Sequence, residues 1–461
     1  MPSNVASPRK FPPRQADGPR RFPQSGPSSS RPRWNEQQPY PARGNLGENG
    51  GRQEFNDCPS RHPCPHFPAC HGCPFVQFPY LQQLEKKRAL VFAALASFPA
   101  LAALEIPALV PSPRQFGYRT RIKLAVRRVH GKPLIGLYIP ETHEVTDASS
   151  CPVHPRPVNA IVQFLKEAIE TLNIAPYDEE RDTGLLRYLD IRYSMWSHQA
   201  LLTLVTRNMH FPQVRDLLRE LEERFPFLAG VIQNIHDKPG NVIWGDRFHP
   251  LRGRDTLLEK IGPLRLSIPV SAFAQANPPV ARKLYELVLH WAKFKGDEIA
   301  LDLYCGIGPI ALYLAGGAKL VIGIDDNPSA INVAKENARR NGYNNSRFFS
   351  GDAAEKLKET AANLGHIDLL VVNPPRKGLS PEAFAAVVAV HAPRLIYVSC
   401  EPETLARDLD RFSQSGYTVQ RLQSFDMFPQ TTQIETVALL TTSPEKETNV
   451  LVTTPITEEQ P

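Results

Sequence analysis

From Ile299 onward the chain alternates short apolar runs with stretches of helical periodicity. Ile299-Ala-Leu-Asp-Leu-Tyr304 reads as a buried strand, Cys305-Gly306-Ile307-Gly308 as a glycine turn, and Pro309 to Ala315 as the start of a helix. Leu320 to Asp325 is the next strand. The helix behind it is punctuated at both ends, with Asn327 as N-cap, Pro328 at the first position and Asn341-Gly342 as the stop. Further strands are predicted at Ile367 to Val372, Leu395 to Ser399, Tyr417 to Phe425 and Ile434 to Leu440. Apolar strands alternating with helices predict an α/β unit whose parallel sheet is covered on both faces.

Upstream, from about Pro111 to Val270, the period shortens. Arg187 to Tyr193 and Ala200 to Thr206 alternate as half-buried strands do, which predicts an antiparallel sheet with a helix or two, an α+β domain. A cysteine-rich segment, residues 58 to 75, precedes it. The expected organisation is therefore a tail over 1–57, a cysteine segment and helix over 58–110, the α+β domain over 111–270, a catalytic domain over 271–441 and a second tail from 442. No internal repeat is present.

Composition adjusts this picture in three ways. With 42% apolar and 22% charged residues, the 461-residue chain has ordinary globular cores. Its net charge of +6 is concentrated in residues 1–57, where nine Arg and Lys face five Asp and Glu in a Pro-, Ser- and Gly-rich context that favours disorder. The longest apolar stretch, Ala89 to Leu104, contains Ser97 and Pro99 and is too short to span a bilayer, and no basic-then-apolar leader opens the sequence. A cytoplasmic protein with no membrane partner is expected, and monomer is the default. Seven cysteines in that setting imply thiol chemistry or metal ligation, not disulfides.

The chemistry-bearing residues cluster at predicted strand ends. The glycine turn after Leu303 lets a ligand approach the backbone at a helix N-terminus, and Asp325 at the end of the second strand suits two ribose hydroxyls. Dinucleotide enzymes share that pattern. Asn373-Pro374-Pro375-Arg376 at the end of the fourth strand does not belong to them and favours methyl transfer from S-adenosylmethionine. An aromatic residue after Asn-Pro-Pro would point to methylation of an exocyclic amine; Arg376 stands there instead. Cys400, at the end of the strand closing with Ser399, then becomes informative. An amine needs no thiol, whereas carbon 5 of uracil becomes nucleophilic only after a thiolate adds to carbon 6. A base must afterwards remove the carbon 5 proton, and Glu435 at the start of the last strand is placed for it.

Two further features bear on partners. Cys64-x5-Cys70-x2-Cys73 with Cys151 offers four thiolates and Cys58 a spare; by spacing alone they fit a tetrahedral zinc ion or an iron-sulfur cluster equally. Residues 106 to 140 contain no acidic residue, while Arg119, Arg121 and Lys123 fall on one face of an extended strand, opposite Ile122, Leu124 and Val126. That face is expected to meet RNA phosphates, with Tyr118 stacking on a base. Because carbon 6 of a stacked uracil is shielded, the substrate is expected to be single-stranded or a loop.

These residues resemble the bacterial RNA (uracil-5-)-methyltransferases, and within them the branch acting on 23S ribosomal RNA that carries an iron-sulfur cluster. The matches are Phe273-Ala-Gln275-Ala-Asn277, Asp302 to Gly308, Asn373 to Arg376, Val398-Ser-Cys400 with Glu401 to Asp408, and Asp426-Met-Phe-Pro429 with Glu435 following, a likeness running from about Cys58 to Leu440. The resemblance implies a class I S-adenosylmethionine-dependent, Rossmann-like fold with an upstream RNA-binding domain and a small iron-sulfur segment. It implies a donor site lined by Gln275, Tyr304, Asp325, Asp352 and Asn373, Cys400 as nucleophile, Glu435 as base, and a [4Fe-4S] cluster on Cys64, Cys70, Cys73 and Cys151. The chain departs from the family in three places. Asn373 stands where Asp is usual, Gln430 and Gln433 where histidines are frequent, and residues 1–57 cannot form the β-barrel with which many relatives begin. Two alternatives are an amine methyltransferase using Asn373-Pro374-Pro375, and an RNA-binding or assembly factor in which Asn373 has disabled catalysis.

Overall fold

The computed structural model describes residues 64–238, 240 and 242–442, all within one compact unit. The tail expected over 1–57, the spare Cys58 and residues 443–461 lie outside the described residues. The chain begins with turns over the cysteine segment and then α1 (Tyr80–Ala96), whose Gln83, Lys87, Val91 and Leu95 repeat every four residues along one buried stripe.

Seven of the described strands form a first sheet: β1 (Arg121–Val129), β2 (Lys132–Tyr138), β3 (Val145–Asp147), β4 (Leu186–Tyr193), β5 (Ala200–Thr206), β6 (Leu228–Ile235) and β7 (Arg247–Gly253), in the order β3-β2-β1-β4-β5-β6-β7. Pairing is antiparallel except between β5 and β6, which are parallel because α3 (Val214–Arg224) crosses over between them. The wholly antiparallel sheet expected from the sequence is corrected at that pair. Together with α2 (Arg156–Thr171), α3 covers one face, burying Ile122, Leu124, Val126, Leu189 and Ile191. The hairpin β8 (Thr256–Ile261) and β9 (Leu264–Pro269) follows. Its Ile261, Leu264, Leu266 and Ile268 enter the core of the second sheet, so by packing it joins the catalytic layer, upstream of the boundary expected at 270.

The second sheet is built from β10 (Ile299–Leu303), β11 (Leu320–Asp325), β12 (Ser346–Ser350), β13 (Leu369–Val372), β14 (Arg394–Ser399), β15 (Thr418–Phe425) and β16 (Glu435–Thr441), ordered β12-β11-β10-β13-β14-β16-β15. β10 to β14 are mutually parallel. β16 runs antiparallel to both β14 and β15, which corrects the all-parallel expectation at that edge. α4 (Pro278–Ala292), α5 (Pro309–Ala315) and α6 (Pro328–Arg340) cover one face. α1, α7 (Ala353–Leu364), α8 (Pro381–Val390) and α9 (Pro402–Gln414) cover the other. α6 is capped as its sequence predicts, with the Asn327 side chain accepting from the N–H groups of Ser329 and Ala330.

The order of β10 and β13 reverses the winding of the sheet, so the crevice at their carboxyl ends is where a ligand is expected. Gly323 in β11 underlies that crevice, pressed between Phe348 and Cys305. A Cβ there would come within 2.5 Å of the Phe348 ring and 2.9 Å of Cys305 Sγ. Gly323→Ala is therefore expected to destabilise the fold by about 1–3 kcal/mol through overpacking, read as a lowered thermal midpoint.

Candidate active site

Most of the predicted site residues converge on the carboxyl edge of the second sheet. The antiparallel register pairs Ser399 of β14 with Thr436 of β16, which brings Cys400, the residue after β14, alongside Glu435, the first residue of β16. Ser399 Oγ closes a tight turn on Glu401, accepting its N–H at 3.1 Å, so the Cys400 side chain projects from a strand-to-helix corner ahead of α9.

Glu435 is only 5% exposed, and burial pushes its carboxyl up to about 7. A hydrogen bond from the Gln275 side chain and the charge of Arg376 pull the other way. Burial also raises the Cys400 thiol. The charge of Glu435 raises it further, while the charge and hydrogen bond of Arg376 lower it. One guanidinium thus faces both groups, and sequence reasoning used Arg376 only to argue against amine chemistry. Its place directly after Asn373-Pro374-Pro375, at a strand end in the same crevice as Cys400, was the available signal.

Gln275 is buried, and its side chain lies on Glu435. The loop that carries it is held by the first sheet. Arg121 donates to the carbonyls of Ala272 (2.9 Å) and Val270 (3.2 Å), the fully buried Arg192 to Ala272 (2.6 Å), and Thr120 Oγ1 to Ala276 (3.0 Å). Arg121 also pairs with Asp190 at 3.1 Å. The basic strip expected to face phosphate is corrected here: Arg121 is a structural clamp, although Ile122, Leu124 and Val126 are buried beneath it as predicted. Tyr118 is corrected as well. It is 0% exposed and donates its hydroxyl to the Pro429 carbonyl at 2.9 Å, so it cannot stack on a base.

The donor side of the crevice is built around the glycine turn. Tyr304 turns the chain at φ 63°, followed by Gly306 and Gly308, also at positive φ. Asp325 accepts the N–H of Gly306 (2.8 Å) and of Asn327 (3.0 Å), holding the turn as well as facing it. Asp352 caps α7, its Oδ1 accepting from Ala354 and Glu355. The Tyr304 hydroxyl is raised to about 12, first by burial and then by the charges of Asp352, Asp326 and Asp408, which sets Tyr304 between the donor side and α9. Asn373 ends β13 with its N–H on the Leu303 carbonyl at 3.2 Å. Asp302, fully buried, accepts from Ala311 N at 2.9 Å and keeps Oδ1 without a protein partner; burial and the Asp325 charge raise it to about 8. A crevice with small residues and an unpaired buried acceptor fits a zwitterionic nucleoside ligand.

Asp408 fixes the opposite wall. Fully buried, it accepts from Leu379 N (3.1 Å) and the Tyr397 hydroxyl (2.7 Å) and pairs with Arg407 (2.9 Å), which ties α9 to β14 and to the turn after Arg376.

The cysteines sit apart from this crevice. Cys64 and Cys151 are buried, Cys70 and Cys73 half-buried, and none of the four is in a disulfide. They lie within electrostatic reach of one another. Burial raises Cys73 to about 12 and the charges of Cys151, Cys70 and Cys64 add to it; Cys151, raised to about 11 by burial, feels Cys64 and Cys70. N–H groups of Gly72, Val153 and His154 point at the sulfurs. Among the described residues no group of three or more His, Cys, Asp or Glu side chains is spaced to hold a single metal ion. No helix of the described residues is long and apolar enough to cross a membrane.

Sheet order, glycine turn and strand-end crevice together define the class I S-adenosylmethionine-dependent methyltransferase fold. The family model of the tRNA (Uracil-5-)-methyltransferases matches residues 264–443. An RNA methyltransferase of Geobacter sulfurreducens is 40% identical over 377 residues, covering 82% of this chain and 76% of its own. One from Halalkalibacterium halodurans is 34% identical over 378 residues, covering 82% of each. The solved structure of Pyrococcus abyssi tRNA (uracil-54, C5)-methyltransferase in complex with S-adenosyl-L-homocysteine matches with a TM-score of 0.66 at 28% identity, over 81% of this chain and 86% of that one. The chain belongs to the tRNA (uracil-5-)-methyltransferase family and is an RNA methyltransferase.

The raised Glu435 carboxyl gives a stability prediction with a defined sign. Its native pKa of about 7 exceeds the ordinary 4.5, so the proton it retains stabilises the fold fully below 4.5, and this contribution is lost as the pH rises through 7. Relative to wild type, Glu435→Gln is expected to be neutral at pH 4 and more stable by up to about 3 kcal/mol at pH 8, in denaturant melts at the two pH values.

Proposed function

We propose that this enzyme methylates carbon 5 of a uracil in RNA, most favourably 23S ribosomal RNA, through a Cys400 adduct at carbon 6 and proton removal by Glu435. The observation that carries this reading is the meeting of a half-buried Cys400, the buried Glu435 and the exposed Arg376 in one corner. Methylation of an amine has no use for a thiol there.

S-adenosylmethionine supplies the electrophilic methyl group, and the residues placed to hold it are Tyr304, Asp325, Asp352 and Asn373, with Asp302 behind the turn. Arg376 favours the Cys400 thiolate, opposing in part the larger effects of burial and the Glu435 charge. The thiolate adds to carbon 6 of the uracil, and the electrons of the carbon 5–carbon 6 double bond move onto carbon 5 and its conjugated carbonyl. Carbon 5 then forms its bond to the methyl carbon as the methyl–sulfonium bond breaks. Glu435 takes the proton from carbon 5, the double bond re-forms, and Cys400 leaves as thiolate. A carboxyl titrating near 7 is matched to this proton transfer at neutral pH. Asn373 keeps a carbonyl acceptor in place of the usual carboxylate, and the Cys400–Glu435 pair does not require its charge.

RNA is read beside β1 and β2, where the first sheet keeps half-exposed cations and aromatics. Lys123 lies over the Trp244 ring at 4.2 Å, and Arg127 faces Tyr138 at 5.3 Å. Beside them a pocket of about 440 Å³ is lined by Lys123, Tyr138, Tyr188 and Ile243. Bases stacked between such aromatics and cations belong to single strands or loops. Phe273, two residues before Gln275, is 69% exposed and offers a further aromatic surface for a base.

We further assign Cys64, Cys70, Cys73 and Cys151 to a [4Fe-4S] cluster. Their mutual charge coupling and N–H···S donors suit thiolates around one inorganic core. Ribosomal over transfer RNA rests on this segment, and such a substrate places the enzyme, acting as a monomer, in the cytoplasm.

Two measurements test these assignments. RNA labelled with tritium at uracil carbon 5 should lose its label with the wild-type enzyme and not with Cys400→Ala. Glu435→Gln should instead accumulate a covalent RNA adduct that survives denaturation. Methylated adenine or guanine in the product digest, or failure to bind the donor by calorimetry, would contradict the mechanism. Freshly purified protein should be brown with about four iron and four sulfide per chain; stoichiometric zinc without iron would overturn the cluster.

A further inference from the structure

The short stretch from Asp426 to Gln433, which leads to Glu435, makes a cluster of polar contacts with α1 and the turns before it. Lys87 of α1, 0% exposed, donates to Asp426 Oδ1 (2.5 Å) and to the carbonyls of Phe428 (3.0 Å) and Gln433 (2.9 Å). Asp426, equally buried, accepts the Tyr80 hydroxyl on its other oxygen at 2.7 Å. Gln83 and Gln430 exchange two bonds: Gln83 Nε2 donates to Gln430 Oε1 at 2.7 Å, and Gln430 N donates to Gln83 Oε1 at 2.9 Å. Phe75 N reaches the Gln430 carbonyl at 2.9 Å, two residues beyond Cys73. Gln430 is held at φ 73°, a conformation that a non-glycine residue keeps only where its surroundings impose it.

A buried ion pair is weak evidence for a stabilising role, because desolvation of both charges offsets their attraction. Its strength is geometric. Three donors on one ammonium fix three points of an eight-residue stretch, and the Gln83–Gln430 exchange fixes a fourth. β16 starts one residue after that stretch, with Glu435.

We propose that α1 is a positioning device for proton removal, in which Lys87 and Gln83 hold the stretch that leads into β16 and so set how Glu435 meets carbon 5 of the adduct. This rests on the Cys400–Glu435 mechanism proposed above and adds to it that the late, base-dependent step is governed from outside the catalytic sheet. A displaced Glu435 leaves thiolate addition and methyl transfer intact and slows only the step that frees Cys400.

The test uses the full chain as purified, with Gln83→Leu and the double variant Lys87→Met/Asp426→Leu. The pair is removed together because Lys87→Met alone strands a buried carboxylate and risks misfolding. Adduct formation in a single turnover and release of methylated RNA are followed separately on denaturing gels, with donor affinity by calorimetry as a check on the fold. The expected result is adduct formation within about twofold of wild type and release slowed about ten- to a hundredfold, the scale of a misplaced catalytic group. Release at the wild-type rate, or formation and release slowed in parallel, would overturn the proposal. Glu435→Gln, run alongside, separates the two levels. If it traps no adduct, the underlying mechanism falls; if it traps adduct while Gln83→Leu does not, only the role of α1 falls.

Discussion

A carboxyl group buried away from water must be paired, hydrogen-bonded or kept protonated, and Glu435 meets this constraint with parts taken from three distant stretches of sequence. Gln275 comes from the loop before α4, Arg376 from the turn after β13, and Glu435 itself from the antiparallel strand β16. The antiparallel insertion of β16 makes the meeting possible. In a wholly parallel sheet the start of that strand would lie at the opposite edge from Cys400. Because β16 runs backward, its first residue and the residue after β14 share one corner.

Holding that corner requires the rest of the molecule. The first sheet grips the Gln275 loop through Thr120, Arg121 and Arg192, and α1 grips the approach to Glu435 through Lys87 and Gln83. Both grips use charged or amide side chains withdrawn from water, which bond in fixed directions and so set position more sharply than apolar packing does. The upstream regions therefore help to fix the geometry of the corner where Cys400 and Glu435 meet.

Much of this was legible in the sequence. Pro309–Ala315, Leu320–Asp325 and Ala200–Thr206 were read with the boundaries they adopt, because proline, glycine and asparagine punctuate the helices and the buried strands are nearly pure apolar runs. β12 escaped because Ser346-Arg-Phe-Phe-Ser350 is an edge strand with alternating burial, too short and polar to stand out. Sheet direction at β5, β6 and β16 was not legible, since local pattern carries no information on which way a neighbouring strand runs. Chemistry was proposed from residue types unusual for their place, as with Cys400, which the structure puts directly after β14. It was misread at Arg121 and Tyr118, where charge and aromaticity look the same on a surface and in a buried clamp, and only the partners Asp190, Ala272 and Pro429 distinguish them.

The most direct test of the account locates the covalent bond itself. RNA carrying 5-fluorouridine at the target position offers no carbon 5 proton to Glu435, so the adduct should persist and be recoverable as a peptide-nucleotide conjugate. Tandem mass spectrometry should place a methylated fluorouridine on Cys400. A conjugate on Cys305 or another cysteine, or unconjugated enzyme with full donor turnover, would contradict it.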